Sequence, residues 1–543
     1  MEDIDERSIL EHYREHFFLS ELKLKELVND FSKSLELGLN ERICKKNKFK
    51  NKNVNDFFNR KYQIFPLKML DSCINKLPIG NEMGVYYSID MGGTNLRCIR
   101  IELKKDGKNY IKHKKTRLTD LKVKHLNDKD LKSVIEDTVT SEEMFDEIAM
   151  FFGQFLIECG DMKDNKNNNS PSFAENKQFS DEHIFELTFT FSFPIEQVEV
   201  GKANLITWTK GIETGRSTPF PVEGCDVGEL LNSAFCRRNI PAHCKCIIND
   251  TIGTLISAIY DSNYASFKDS GGNKSNVLTQ KNNEFNSAYI LSCENGSKRS
   301  KINIKCNNPC IGVVIGTGLN SCYIEPNSKQ YGYKGLIINT ECGDFYSSNL
   351  PITDCDLILD WNSDNRGEQL FEKMISGNYL GEISRLLFIS SFKDITPKIF
   401  FKNNSVSTED ISNIVSLFEK SQNKDFSELV IYLKNTFLCE FNPVLAKIIA
   451  ELSLFVLNRA AQLVSVMISA LFKRLENYYP SGISVAIDGS IWTKNSIFRK
   501  IVKETLCIIL GGNANEIIQV FVSDDGSGKG AAILAAVIPK KPI

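Results

Sequence analysis

Residues 84–103 read Gly-Val-Tyr-Tyr-Ser-Ile-Asp-Met-Gly-Gly-Thr-Asn-Leu-Arg-Cys-Ile-Arg-Ile-Glu-Leu. Two runs rich in β-branched and aromatic residues flank a turn that carries an acid, two glycines, a hydroxyl, an amide and an arginine. Such a turn suits phosphate. Gly92 and Gly93 permit unusual dihedrals and close approach of a ligand, Thr94 and Asn95 add donors, and Asp90 offers a carboxylate to a hydrated magnesium ion. A P-loop runs from its glycines through Lys-Ser/Thr into a helix, whereas here the turn enters another β-type stretch, Leu96 to Leu103. A plain hairpin turn would satisfy Gly-Gly equally well, so the rest of the chain decides.

The chain has 543 residues, 42% of them hydrophobic, which is ample for sizeable cores and two or more domains. A net charge of −2 and a pI near 6.4 give no overall field for nucleic acid or an anionic membrane. Any bound anion is then small and held locally. Sixteen cysteines are scattered without a Cys-x-x-Cys pair and read as reduced thiols of a cytoplasmic protein. The closest pairs, Cys244 with Cys246 and Cys306 with Cys310, lack the partner pairs of a zinc site. Met1 to Arg7 is acidic with no hydrophobic segment, so no secretory signal is expected. The most apolar stretch, Leu452 to Leu475, is interrupted by Asn458, Arg459, Gln462 and Lys473, which suits a buried helix rather than a membrane span.

Periodicity gives an α/β order. Phe18 to Leu39 repeats apolar residues at helical spacing, with Ser20 as N-cap and Gly38 near the end. After the hairpin come a Lys-rich stretch, a helix near Ser141 to Glu158, a polar loop at Asp161 to Asn176 and a strand at His183 to Phe193. Residues 226–238 read as a helix, Cys244 to Asn249 as a short strand and Thr251 to Tyr260 as a helix. From Asp261 to Pro309 Ser, Asn, Lys and Gly take over, marking a surface insertion. Strands resume over Ile311 to Tyr323, helices dominate from Gly367 to about Leu475, and strands at Ser484 to Asp488 and Ile517 to Val522 precede a terminal helix, Lys529 to Val537.

The opening device recurs. Ile311-Gly-Val-Val-Ile-Gly-Thr-Gly-Leu-Asn repeats the strand, Gly/Thr turn and second strand, and Ser484-Val-Ala-Ile-Asp-Gly-Ser ends a third apolar strand in Asp-Gly-hydroxyl. Ser523-Asp-Asp-Gly-Ser-Gly-Lys-Gly-Ala-Ala opens the final helix with small residues whose amides can face a nucleotide, although Gly530 after Lys529 rules out a Walker A match. Asn249-Asp250-Thr251 ends a strand and begins a helix, placing a carboxylate at the mouth of a sheet, where it can take the proton of an attacking hydroxyl. Ser192, Thr209, Lys210, Asn320, Glu341 and Glu372 are polar groups of the kind a polyhydroxylated ligand requires. Taken singly each has another reading. Asn249 or Asp250 serves as a helix cap, Ser192 and Asn320 as turn residues, Lys210 as a solvated cation, and Glu372 as the partner of a lysine on an exposed helix.

Together these pieces resemble the eukaryotic hexokinase family, including glucokinase. The segments that carry the likeness are Asp90-Met-Gly-Gly-Thr-Asn-Leu-Arg97, Phe189-Thr-Phe-Ser-Phe-Pro194, Leu205-Ile-Thr-Trp-Thr-Lys-Gly211, Ile248 to Thr254 and Gly316 to Tyr323. They continue with Ile338 to Phe345, Gln369 to Glu382, Ala486 to Ser490 and Ser523 to Ala532, in family order from about Phe17 to Val537. The resemblance implies an actin-like ATPase (ribonuclease H-like) architecture of two α/β lobes with sugar and ATP in the cleft between them. On this pattern 81–248 form the small domain, with 522–543 returning to it. Residues 249–521 form the large domain, on which the helical segment 1–80 packs, and 261–309 loop out. The same resemblance implies Asp250 as the base for the sugar 6-hydroxyl, assisted by Lys210. Ser192, Thr209, Lys210, Asn249, Asp250, Asn320, Glu341 and Glu372 then hold the hexose. Asp90, Gly92, Gly93, Thr94, Asn95 and Arg97 meet the phosphates of ATP, with Asp90 reaching Mg2+ through water. Gly316 and Thr317 approach phosphate from the other lobe, and Gly489, Ser490, Ser527 and Gly528 lie near the nucleotide.

Two departures stand out: Cys342 occupies a position usually aromatic in the family, and Arg366 replaces a usual proline. The expected reaction is ATP-dependent phosphorylation of a hexose, D-glucose first and mannose or fructose as alternatives, by a monomer or homodimer at the head of glycolysis. Sugar-driven lobe closure would guard ATP against water. A non-catalytic sugar sensor of the same fold has no need of Asp250, Lys210 and the phosphate hairpin together. A filament-forming actin-like protein would leave Trp-Thr-Lys-Gly and Phe-Ser-Phe-Pro without a role.

Overall fold

The computed structural model describes residues 6–46, 64–104, 109–121, 139–163, 184–209, 212, 214–215, 221–271, 309–392, 396–422, 424–523 and 525–539. The strands formed there are β1 Leu70–Asp71, β2 Gly84–Met91, β3 Asn95–Leu103, β4 Tyr110–Arg117, β5 Phe185–Phe191, β6 Ile195–Glu199, β7 Lys202–Leu205 and β8 Ala242–Ile248. The second half adds β9 Pro309–Ile315, β10 Leu319–Ile324, β11 Ile337–Asn339, β12 Ile483–Asp488 and β13 Ile518–Val522. One sheet runs β4-β3-β2-β5-β8 and the other β1-β11-β10-β9-β12-β13, with β6 and β7 a separate hairpin. The two sheets share one plan. In each, an antiparallel three-strand meander is extended by two parallel strands, β5 and β8 beside β2, and β12 and β13 beside β9. The hairpins β2–β3 and β9–β10 are therefore equivalent, which accounts for the recurring turn in the sequence.

The helices of the first half are α1 Glu6–Phe17, α2 Glu21–Lys46, α3 Ser141–Cys159, α4 Val227–Arg237 and α5 Asp250–Gly271. The second half carries α6 Asp354–Trp361, α7 Leu370–Lys373, α8 Leu380–Phe392, α9 Thr408–Ser421, α10 Ser427–Phe437 and α11 Pro443–Leu475. It ends with α12 Ser490–Lys494, α13 Ser496–Leu510, α14 Ala514–Ile517 and α15 Gly526–Val537. Buried apolar residues gather into three clusters. One joins α1, α2 and α11 to the β9 sheet, one packs α3 and α4 on the β2 sheet, and the third lies between the sheets. That third cluster is built from Ile252, Leu255 and Ile256 of α5 and Ala531 to Leu534 of α15, with Ile101, Ile248 and Ile337 from the two sheets.

Asn442 accepts Leu445 N at 2.8 Å to cap α11, with Pro443 in the first turn. α11 is long and apolar enough to cross a membrane by composition, yet 94% of its apolar window is buried in the protein, in keeping with a core helix. Asn458, Arg459 and Gln462 among its polar interruptions are buried and hydrogen-bonded, whereas Lys473 is exposed. Arg459, fully buried, makes two bonds of 2.7 Å to Asp356 and lies over the Phe17 ring, and Asn458 donates to Phe17 O.

Three expectations change. α2 does not stop at Gly38, because that glycine serves contact: a Cβ there would lie 2.2 Å from Leu67 O. The Lys-rich stretch contains β4, whose cations hide a strand formed by pairing with β3. α5 continues past Tyr260 to Gly271, so the start of the polar insertion is helical; most of that insertion, and most of the 161–176 loop, lie outside the described residues. Cys306 lies outside them as well. Cys244 and Cys246 are buried, their thiols pushed up by burial, and the described residues contain no cluster of three metal-ligating side chains.

Candidate active site

The three glycine turns meet at one cavity of about 490 Å³ between the sheets. On the first wall, Asp90 and Arg97 are register partners across β2 and β3, so their side chains share a face. The Arg97 guanidinium pairs with Asp90 and Asp525 and donates to Ser527 Oγ at 2.9 Å, while Ser527 Oγ lies 3.0 Å from Asp90. The charge of Asp90 raises the Arg97 pKa, leaving a permanent cation on the cavity wall. Neither Gly92 nor Gly93 takes a positive φ, so their glycine character is not a matter of dihedrals. A Cβ on Gly92 would find only Asn95 O, at 3.8 Å, and would project from a wall that a ligand must approach.

The opposite wall is made by the second and third turns. Gly316 O accepts Gly377 N at 2.8 Å, tying the β9–β10 turn to the chain before α8. Gly489 has φ +111, and a Cβ on it would lie 2.3 Å from Ile315 O, so only glycine lets the third turn seat against the second. Asp488 accepts Gly489 N at 2.6 Å and Ser527 N at 3.4 Å. Burial drives its carboxyl up to about 7, against the pull of the Gly489 amide and Arg97.

A polar network forms the floor. Asn320 Nδ2 reaches Asn249 Oδ1 at 3.3 Å, Asn339 Oδ1 at 2.9 Å and Glu341 Oε1 at 3.3 Å, and Asn339 Nδ2 donates to Glu341 at 2.8 Å. Glu341 takes φ 52 and ψ 48, a left-handed conformation that costs a glutamate energy and is held by these contacts. Glu372 is buried and accepts Leu319 N at 2.7 Å; the neighbouring Lys373 bonds Asp360 instead, so the exposed-face reading of Glu372 fails. Asn249 Oδ1 accepts both Thr251 N and Thr251 Oγ1, which makes Asn249 a cap as well as a wall residue. Asp250 accepts Thr251 N at 2.8 Å and opens α5, so its carboxylate lies at the positive end of a helix and on the cavity.

Ser192, Thr209, Asn249, Asp250, Asn320, Glu341, Glu372, Asp90, Gly92, Gly93, Thr94, Asn95, Arg97, Gly316, Thr317, Gly489, Ser490 and Ser527 all line this cavity. Lys210 lies outside the described residues. Gly528 does not line the wall. Its carbonyl accepts Ser88 Oγ at 2.8 Å and a Cβ would press 1.9 Å from Ile99 Cδ1, so it packs α15 on the β2 sheet. Lys115, Gln369, Asp488, Thr493 and Asp525 line the cavity without having been singled out. Asp488 and Asp525 stood inside the quoted turns. Lys115 had no signal beyond a run of lysines, and only its register opposite Arg97 brings it here.

Two sheets that share a five-strand plan, the second extended by β1, meet at this cavity as in a two-lobed actin-like ATPase. Two hexokinase family models match the chain, one over residues 9–260 and the other over 310–537. A hexokinase of Plasmodium falciparum is 36% identical over 473 residues, 87% of this chain and 82% of that protein. A hexokinase crystal structure superposes with a TM-score of 0.73 at 30% identity, covering 98% of this chain and 99% of that one. A Schistosoma mansoni hexokinase complexed with glucose gives 0.70 at 25% identity, with the same coverage. The chain belongs to the hexokinase family, and it is an enzyme that phosphorylates a hexose with ATP.

Proposed function

We propose that the cavity transfers the γ-phosphoryl group of ATP to the 6-hydroxyl of D-glucose, giving glucose 6-phosphate and ADP at the entry to glycolysis. The observation that carries this reading is the meeting of the Asn249–Asn320–Glu341–Glu372 floor with the three glycine turns in one cavity. Glucose is the favoured hexose because the Schistosoma mansoni relative is complexed with it. Sugar hydroxyls both donate and accept, and this floor offers carboxylate and amide partners for each role.

In the proposed reaction the 6-oxygen forms a bond to Pγ as the bond from Pγ to the bridging oxygen of ADP breaks, and the hydroxyl proton passes to the Asp250 carboxylate. The transition state is loose, so alignment and charge neutralisation dominate and a modest base suffices. Arg97 supplies a fixed positive charge at the phosphates, and the Thr94, Asn95, Thr317 and Ser490 side chains on the three turns supply donors. A magnesium ion carried by ATP would need only one or two carboxylates beside its waters and the phosphates, and Asp90 opens on the cavity for that role. Asp90 would meet its water shell, and the ion would offset charge on the phosphate oxygens. Lobes of 81–248 with 522–543, and of 249–521, would close on the sugar. A cytoplasmic setting belongs to the same proposal, supported by cysteines that are all free thiols among the described residues.

Asp250→Ala tests the base. A coupled assay with ATP, magnesium and glucose should show kcat reduced by about 10²–10⁴-fold, the usual worth of a general base. Equilibrium glucose binding should persist. Undiminished turnover would refute the assignment.

A further inference from the structure

The segment before β1 runs behind the floor of the cavity and braces the turn that carries Glu341. β1 pairs antiparallel with β11, Leu70 opposite Asn339, and Met69 N points to Thr340 O at 3.5 Å. Beyond that backbone contact stands one ion pair: Lys68 Nζ lies 2.7 Å from Asp344 Oδ2. Asp344 ends the single helical turn Cys342–Asp344, and its N–H donates to Glu341 O at 3.1 Å. Lys68 therefore grips the far end of the turn whose first residue is Glu341.

Glu341 needs such a grip. Its left-handed backbone is disfavoured for any residue with a Cβ, so the conformation persists only if surrounding contacts over-determine it. Asn339 and Asn320 fix the carboxylate from the cavity side. Carboxylates also crowd here: burial weakens the Lys68 charge, but Asp344, Glu341 and Glu368 more than offset it and raise the Lys68 pKa. Lys68 faces these carboxylates.

We propose that Lys68 is a positioning residue for the hexose, which through Asp344 fixes the turn presenting Glu341 and so sets sugar affinity rather than transfer rate. The inference rests on the reading of Glu341 as a sugar ligand. Lys68 does not line the cavity.

Steady-state kinetics of the full chain with glucose and ATP, on Lys68→Met, Lys68→Arg, Asp344→Asn, Lys68→Met with Asp344→Asn, and Glu341→Gln, test it. The pair is partly exposed, so Lys68→Met is expected to raise the glucose KM about fivefold, while kcat and the ATP KM stay within about twofold. Lys68→Arg should restore the glucose KM, Asp344→Asn should match Lys68→Met, and the double variant should be no worse than either. An unchanged glucose KM in Lys68→Met, an equal loss in kcat and ATP KM, or no rescue by arginine would overturn the proposal. Glu341→Gln separates the two levels. If it leaves the glucose KM unchanged, the assignment of Glu341 has failed and the inference falls with it; if it raises KM while Lys68→Met does not, the positioning role alone is wrong.

Discussion

Asp488 shows how one buried side chain changes the chemistry of a wall. Its carboxyl ordinarily titrates near 3.8, and burial against the Gly489 turn moves it to about 7. The folded protein thus holds this proton more tightly than the unfolded chain. The resulting stability is complete below about pH 4 and is lost as pH rises through 7. In thermal melts without ligand, the Tm of the natural protein is expected to fall more steeply between about pH 4 and 7 than that of Asp488→Asn, and to run parallel to it above that range. Profiles parallel across the whole range would show that the carboxyl is not held up as described. Asp488 was visible in the sequence as part of Asp-Gly-Ser, but its environment was not, because the charges of Arg97 and Asp525 and the Ser527 amide that act on its carboxyl are distant in the chain. Glu372 carries the same lesson, since local helical spacing allowed an exposed ion pair and the Leu319 amide decided otherwise.

At the scale of elements, α5 and α15 decide how the two sheets are joined. Their closest approach is backbone to backbone: a Cβ on Gly530 would lie 1.8 Å from Gly253 O, and one on Gly253 would lie 2.2 Å from Ser527 O. Gly530→Ala is expected to force the helices apart and lower the thermal midpoint by about 5 °C, the scale of a core overpacking penalty. Gly512→Ala, with nothing within 4 Å of its added carbon, should melt like the natural protein. Equal midpoints would mean the crossing gives way without cost. Elements whose pattern was strong stand where periodicity put them, including α3, α4, β5 and β8. β4 was hidden because an edge strand can carry charge on both faces, and Gly38 misled because a glycine used for close packing is indistinguishable in sequence from one that ends a helix.

For the whole molecule, the proposed closure of two lobes on the sugar makes a prediction of shape and stability together. Saturating glucose should reduce the radius of gyration in solution scattering and raise Tm, since ligand at about 100 times its Kd stabilises by about 2.7 kcal/mol. A Tm rise without contraction would place glucose in a cavity that does not close. By itself the sequence determined the α/β class, the three glycine turns, most of the wall residues and the family, because each depends on short runs whose spacing directly encodes turns, strands and chemical groups. Only the tertiary structure decided that Gly528 packs instead of lining the cavity, and that Lys115 and Asp525 join Arg97 there. It also seated the Asp90–Arg97 turn against Gly316 and Gly489 rather than leaving it an isolated hairpin. The physical reason is shared: these outcomes depend on which distant backbones approach closely enough to exclude a Cβ or pair a charge, and no local pattern records that distance.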